Sequence, residues 1–121
     1  MNKITEILSK FFTEKQIQAM KDAWKYGQWG DCEITFYGSF DETYAYGACT
    51  NDIKKGGHFT GRQVSGIMGS ISKVIKEKQC KYVENIHDWW EDGSGDMIFF
   101  NVYAFDLGEN AWDKFNEWAN E

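Results

Sequence analysis

The stretch TGRQVSGIMGSISKVIK (residues 60–76) carries the strongest structural signal in the chain. Its apolar residues recur at helical spacing and form one stripe, made of Val64, Ile67, Met68, Ile71, Val74 and Ile75. Thr60 and Gln63 form a capping-box pattern at its start, and the turn-rich segment 51–59 precedes it. We therefore predict a central amphipathic helix that begins after Thr60 and buries this apolar stripe.

The opposite face of the predicted helix has an unusual composition, with Arg62, Ser65, Gly66, Gly69, Ser72, Lys73 and Lys76. A glycine inside a helix costs about 1 kcal/mol relative to alanine, so two glycines call for a compensating close contact. We predict that Gly66 and Gly69 approach another backbone closely. That backbone could belong to this domain or to a partner, and the sequence leaves both alternatives open.

Two further helices are predicted before this central helix. The first carries apolar residues at helical spacing, namely Ile4, Ile7, Leu8, Phe11 and Phe12. Thr13 and Gln16 form another capping-box pattern, which predicts the start of a second helix that carries Ile17, Met20 and Trp24. Gly27 and Gly30 are expected to end it.

Four segments alternate polar and apolar residues as strands do, and a last helix follows them. The segments are Cys32–Tyr37, Glu42–Cys49, Lys81–Trp90 and Met97–Phe105, with turns predicted at Gly38–Asp41 and Glu91–Asp96. Asp106 is the expected N-cap of the last helix, which directs Trp112, Phe115 and Trp118 inward. The order ααββαββα predicts a single α+β domain over residues 1–121. Its central helix would pack on an antiparallel four-stranded sheet.

Charge is distributed unevenly along this 121-residue chain, whose formal net charge is −6. Residues 1–80 carry 11 basic and 9 acidic side chains, whereas residues 81–121 carry 2 basic and 10 acidic side chains. The acidity therefore lies in the last third of the chain, and a net acidic protein is a poor general ligand for nucleic acid. No apolar run approaches the ~18 residues of a membrane span, and we expect a cytoplasmic protein without membrane contact.

Residue types that support catalysis, metal binding or disulfides are sparse. Three cysteines without a C-x-x-C pattern favour reduced thiols over a disulfide frame or a zinc site. An EF-hand loop centred on Gly93 would place Trp90 and Phe99 at ligand positions, which excludes that motif. His58 and His87 fall in predicted loops, and no nucleophile stands beside a base at a useful spacing. We predict a non-enzymatic protein without a cofactor or metal.

A basic, glycine-rich segment leads into the central helix and is a candidate anion-binding site. Its candidate residues are Lys54, Lys55, His58, Thr60 and Arg62. Cationic side chains and exposed amides at a helix start can hold a phosphate or carboxylate. The spacing from Gly56 to Gly61 is close to that of a P-loop, but Arg62 and Gln63 stand where that motif needs Lys and Ser or Thr. An anionic metabolite or nucleotide is one interpretation, and a simple connecting loop is the other.

Acidic residues near the C-terminus are the candidate partner-binding site. Glu109, Asp113, Glu117 and Glu121 recur every four residues, which predicts one carboxylate row with about 6 Å between neighbours. Trp89 and Trp90 are adjacent on a predicted strand, so one of them is expected to face outward beside Asp92 and Asp96. Exposed tryptophans and carboxylates suit a protein interface, although a solvated face and a partly buried tryptophan would explain the same residues.

In size, acidity, aromatic content and lack of catalytic residues, the chain resembles two functional classes. These are phage-encoded counter-defence inhibitors such as anti-CRISPR proteins, and immunity proteins that neutralise nuclease toxins. The resemblance rests on composition, and it implies a non-enzymatic inhibitor that occupies the basic cleft of a nucleic-acid-binding protein. The alternative from another class is a binder of a small anionic ligand at the Lys54–Arg62 segment.

Overall fold

The computed structural model describes residues 2–26, 28–29, 32–33, 44–49, 57–59, 61–90 and 93–121. These residues form helices and short antiparallel strands. In chain order they are α1 (Lys3–Leu8), α2 (Glu14–Tyr26), β1 (Gln28–Trp29), β2 (Cys32–Glu33), β3 (Tyr44–Cys49), α3 (Gly61–Lys78), β4 (Val83–Trp90), β5 (Gly93–Asn101), α4 (Val102–Phe105) and α5 (Ala111–Ala119).

Local side-chain caps define the first two helices. Asn2 Oδ1 accepts the Ile4 backbone N–H at 2.8 Å and caps α1. The predicted capping box before α2 is confirmed, because Thr13 Oγ1 accepts the Gln16 N–H at 3.2 Å and Gln16 Oε1 accepts the Thr13 N–H at 2.9 Å. The residues predicted to face inward from α2, Ile17, Met20 and Trp24, are buried.

The strand arrangement differs from the predicted four-stranded sheet. In the described residues, the largest sheet has three antiparallel strands in the order β3-β5-β4, and β1 pairs separately with β2. The prediction of a four-stranded sheet is therefore wrong, although the mixed helix and strand content is present. Alternation shows which side of a strand is buried, but it does not show which edge is paired. The turn predicted at Gly38–Asp41 lies outside the described residues.

The hairpin of β4 and β5 is longer and tighter than the sequence predicts. β5 begins at Gly93, so most of the predicted Glu91–Asp96 turn belongs to the strand. His87 lies in β4, as the predicted strand Lys81–Trp90 implies, and not in a loop; its register partner is Asp96. Ile98 and Phe100 on β5 are buried, and Val83 of β4, itself buried, stands opposite Phe100.

The chain leaves β5 earlier than the alternation pattern predicts. The strand ends at Asn101, whose side-chain oxygen caps α4 by accepting the Ala104 N–H at 3.4 Å. Asp106 takes a left-handed conformation with φ of 53° at the end of α4, so the predicted N-cap role for Asp106 is wrong. α5 begins five residues later at Ala111. Phe115 and Trp118 face the core as predicted, and Trp112 is partly buried against it.

The core joins the helices to one face of the sheet through aromatic contacts. Phe115 lies at the centre, with ring-centroid distances of 5.1 Å to Trp24, 5.2 Å to Phe100 and 5.3 Å to Phe105. From α3, the predicted apolar stripe contributes Met68 and Ile71, which are fully buried. Ile67, Val74 and Ile75 pack against the same core.

Gly66 and Gly69 lie on the exposed side of α3. A Cβ atom added to either glycine would meet no heavy atom within 4 Å in the described part of the chain. The predicted close contact of Gly66 and Gly69 with another segment of this domain is therefore wrong as far as the described residues are concerned. The alternative of a partner at this face stays a prediction.

Candidate functional site

Helix α5 is anchored firmly to the rest of the molecule. Phe115 and Trp118 are fully buried, and Ala111 and Ala119 are buried beside them. Two indole hydrogen bonds tie the helix to other elements: Trp118 Nε1 donates to Thr5 Oγ1 of α1 at 3.0 Å, and Trp24 Nε1 of α2 donates to Asn116 Oδ1 at 2.9 Å. Side chains on the outer face of α5 are therefore displayed from a fixed backbone.

The four carboxylates predicted as one helical row are all exposed, but the helix is shorter than the row. Asp113 and Glu117 lie within α5 and keep the four-residue spacing, whereas Glu109 precedes the helix and Glu121 follows it. Asp113 stands in the first turn, where a carboxylate is favoured by the helix dipole. The prediction of one helical row of four carboxylates is therefore wrong, because α5 contains only Asp113 and Glu117.

Three of these carboxylates have no ionic or hydrogen-bonding partner among the described residues. Glu121 accepts a hydrogen bond from Asn2 Nδ2 at 3.1 Å and lies 4.0 Å from Lys21 Nζ. No described residue forms an ion pair or a hydrogen bond with the side chain of Glu109, Asp113 or Glu117. We call these three residues and Glu121 the acidic surface.

Two lysines stand beside the acidic surface without neutralising it. A shallow pocket of about 300 Å³ is lined by Lys3, Asp106, Lys114 and Glu117, among others. Lys3 Nζ donates to the Asp106 carbonyl at 2.9 Å, and Lys114 Nζ donates to the Leu107 carbonyl. Both ammonium groups thus bond to backbone oxygens of the connection between α4 and α5. Within the described part of the chain, the Glu117 carboxylate therefore has no partner although two cations line the same pocket.

The predicted site residues at the β4–β5 hairpin are only partly described. Trp89 and Trp90 lie at the end of β4, with register partners Ser94 and Gly93. Asp96 lies on β5 opposite His87, and Asp92 is outside the described residues. Which of the two tryptophans faces outward stays a prediction.

The basic segment before α3 is described at His58, whose partner the sequence analysis missed. Lys54, Lys55 and Thr60 lie outside the described residues, as does the side chain of Arg62. His58 Nδ1 lies 2.8 Å from Oδ1 of Asp22 on α2. The two residues are 36 positions apart, and Asp22 belongs to no recognisable motif. A signal for this pairing is therefore absent from local sequence patterns.

The described residues lack two further kinds of feature, a membrane-spanning helix and a metal-binding cluster. None of their helices is long and apolar enough to cross a membrane. No group of three or more His, Cys, Asp or Glu side chains in the same residues could hold a metal ion. Comparison with known proteins adds no assignment, because no family model, curated protein or solved structure matches the chain.

Proposed function

We propose that this protein binds a basic, nucleic-acid-binding protein through the acidic surface and inhibits it without catalysis. The observation that supports the proposal is that the exposed carboxylates of Glu109, Asp113 and Glu117, on and beside a firmly anchored helix, have no partner among the residues that the structure describes. A partner such as a nuclease or another component of a defence system has the positive cleft that these charges suit.

Electrostatics favour this type of partner. Residues 81–121 carry a net charge of −8, from 2 basic and 10 acidic side chains. Such a field steers association with a positive surface, and fixed carboxylates can take the place of phosphates in a cleft that binds nucleic acid. The same field repels DNA and RNA, so we expect no direct binding of nucleic acid.

The proposal also concerns where the protein acts. Cys80 is a free thiol buried in the core. Free thiols suit the reducing cytoplasm, where nucleases and other nucleic-acid-binding proteins also meet their substrates. We therefore place the inhibitor in the cytoplasm.

The test is affinity capture from a cell extract with three forms of the chain. These are the natural sequence, a surface variant with Glu109→Gln, Asp113→Asn and Glu117→Gln, and a control variant with Glu6→Gln, Glu77→Gln and Glu84→Gln. Both variants lose three charges, and all six altered residues are exposed. We expect the natural chain and the control variant to capture a basic protein that duplex DNA displaces, and the surface variant to lose it.

Two results would contradict the proposal. One is equal capture of the same protein by the surface variant and the natural chain at low salt. The other is a captured protein that keeps its nucleic-acid-binding activity when saturated with this chain, because occupation of its cleft should block that activity.

A further inference from the structure

Asp22 is a buried carboxylate that is held by two residues. Its side chain is 2% exposed. Oδ2 accepts the His58 backbone N–H at 2.7 Å, and Oδ1 accepts the Gln18 amide at 3.1 Å and stands 2.8 Å from His58 Nδ1. Burying a carboxylate is costly unless donors satisfy its oxygens. His58 supplies two of these three donors.

This geometry fixes the protonation of one ring nitrogen. An ionised carboxylate only accepts hydrogen bonds, so Nδ1 of His58 carries its proton and donates it to Asp22. The Gln18 amide is 3.0 Å from the same nitrogen, but it is itself a donor and is satisfied by Oδ1 of Asp22. Nε2 has no hydrogen-bonding partner among the described residues, so it is the ring nitrogen open to another ligand, and the His58 side chain is 58% exposed.

The sequence on either side of His58 is basic, which favours an anion as that ligand. Lys15 on α2 reaches the adjacent residue, with its Nζ 6.0 Å from the centre of the Phe59 ring. The chain adds Lys54, Lys55 and Arg62 within four residues of His58 and has no acidic residue from 53 to 62. The nearby carboxylate, Asp22, is buried and already occupied by its donors.

We propose that His58 binds a small tetrahedral oxyanion, such as a phosphate group, through Nε2, and that Asp22 is its positioning residue. When the imidazole is protonated, Nε2–H donates to the anion while Nδ1–H donates to Asp22. Asp22 orients the ring and supports its positive charge, as carboxylates do for histidines in other sites. This site is separate from the acidic surface and does not depend on the function proposed for that surface.

The test follows the His58 ring by NMR while sodium sulfate is added at constant ionic strength. Sulfate keeps its double charge at about pH 5.5 and about pH 8.5, so a change in binding between the two comes from the protein and not from the anion. We expect saturable shifts of the His58 ring signals at the lower pH and at least tenfold weaker binding at the higher pH. Inorganic phosphate and phenyl phosphate, compared at the lower pH, show whether the free ion or a phosphate on an organic group is preferred.

Variants separate ligation from positioning. His58→Gln removes the imidazole from an exposed position and should abolish sulfate binding while the chain stays folded. Asp22→Asn keeps the ring but weakens its orientation, so sulfate affinity should fall about tenfold and the ¹⁵N signals of the ring should show a changed tautomer. His87→Ala is the matched control and should bind sulfate normally. The proposal is overturned if sulfate leaves the His58 signals unchanged at the lower pH, or if His58→Gln binds it as well as the natural chain.

Discussion

Asp22 shows how strongly a single buried residue can depend on a distant part of the chain. Its carboxylate accepts two hydrogen bonds from His58 and one from Gln18, and it connects α2 to residues that precede α3. Replacing it would leave the His58 backbone N–H without its acceptor. A hydrogen bond to a charged group contributes about 1.5–3 kcal/mol net, so the effect of this residue on stability is comparable to that of a core side chain.

We expect Asp22→Ala to lower the free energy of unfolding by about 1–3 kcal/mol, because it removes the acceptor of three hydrogen bonds. Urea denaturation followed by tryptophan fluorescence measures the change. Glu14→Ala on the exposed surface of α2 serves as the control and should change stability much less. Equal stability of Asp22→Ala and the natural chain would show that these hydrogen bonds contribute nothing net.

Replacing Gly66 or Gly69 is expected to raise the free energy of unfolding, in contrast to replacing Asp22. Both stand in α3 with open space where a Cβ would lie. Gly66→Ala and Gly69→Ala should therefore each stabilise the protein by about 0.5–1 kcal/mol, through helix propensity and a less flexible unfolded chain. Thermal and urea denaturation test this expectation. A loss of stability in either variant would reveal a close contact at this face of α3.

At the scale of elements, short-range patterns predict helices well. The Thr13 and Gln16 capping box, the buried face of α2 and the apolar stripe of α3 follow from residues three or four positions apart, and the structure confirms them. Strand pairing was predicted less well, because pairing partners are set by residues far apart in the chain. β3 pairs with β5 across the whole of α3, and alternation in Tyr44–Cys49 carries no information about that partner.

Local competition explains the other errors at this scale. Asn101 and Asp106 each have a side chain that can cap a helix. Asn101 lies inside the predicted strand Met97–Phe105, and Asp106 follows that strand directly. In the structure Asn101 is the cap, so α4 interrupts the predicted strand and Asp106 ends that helix instead of starting α5. Phe105, at the end of α4, is fully buried, and the sequence alone does not show whether this residue is buried from a strand or from a helix.

The capping box also gives a quantitative prediction. Thr13→Ala removes the acceptor for the Gln16 N–H and should destabilise the protein by about 1 kcal/mol. Thr13→Ser retains a hydroxyl and should be nearly neutral. The comparison of the two variants by urea denaturation isolates the hydrogen bond from the loss of volume. Similar destabilisation by both substitutions would assign the effect to the methyl group of Thr13.

At the scale of the whole molecule, the acidic surface can be predicted from the charge of the sequence, whereas the Asp22–His58 pair depends on packing. The acidic surface was visible in the sequence, because a net charge of −8 over residues 81–121 requires no fold to be counted. Which acids are paired was not visible, since Glu121 meets Asn2 and Lys21 only after α1, α2 and α5 have packed together. The Asp22–His58 pair depends wholly on packing between distant segments, so local patterns could not predict it.

The last prediction separates stability from association in the surface variant with Glu109→Gln, Asp113→Asn and Glu117→Gln. The helix dipole stabilises the charge of Asp113 in the first turn of α5 and destabilises that of Glu117 near its end. At an exposed site, each of these contributions to the free energy of unfolding is about a few tenths of a kcal/mol. The free energy of unfolding should therefore stay within about 0.5 kcal/mol of the natural value.

Association with the basic partner should slow by about tenfold at low salt, and the difference should shrink as salt screens the charges. Stopped-flow kinetics over a salt series, beside urea denaturation, measures both. Natural stability combined with an unchanged association rate at low ionic strength would show that the acidic surface is an ordinary solvated face.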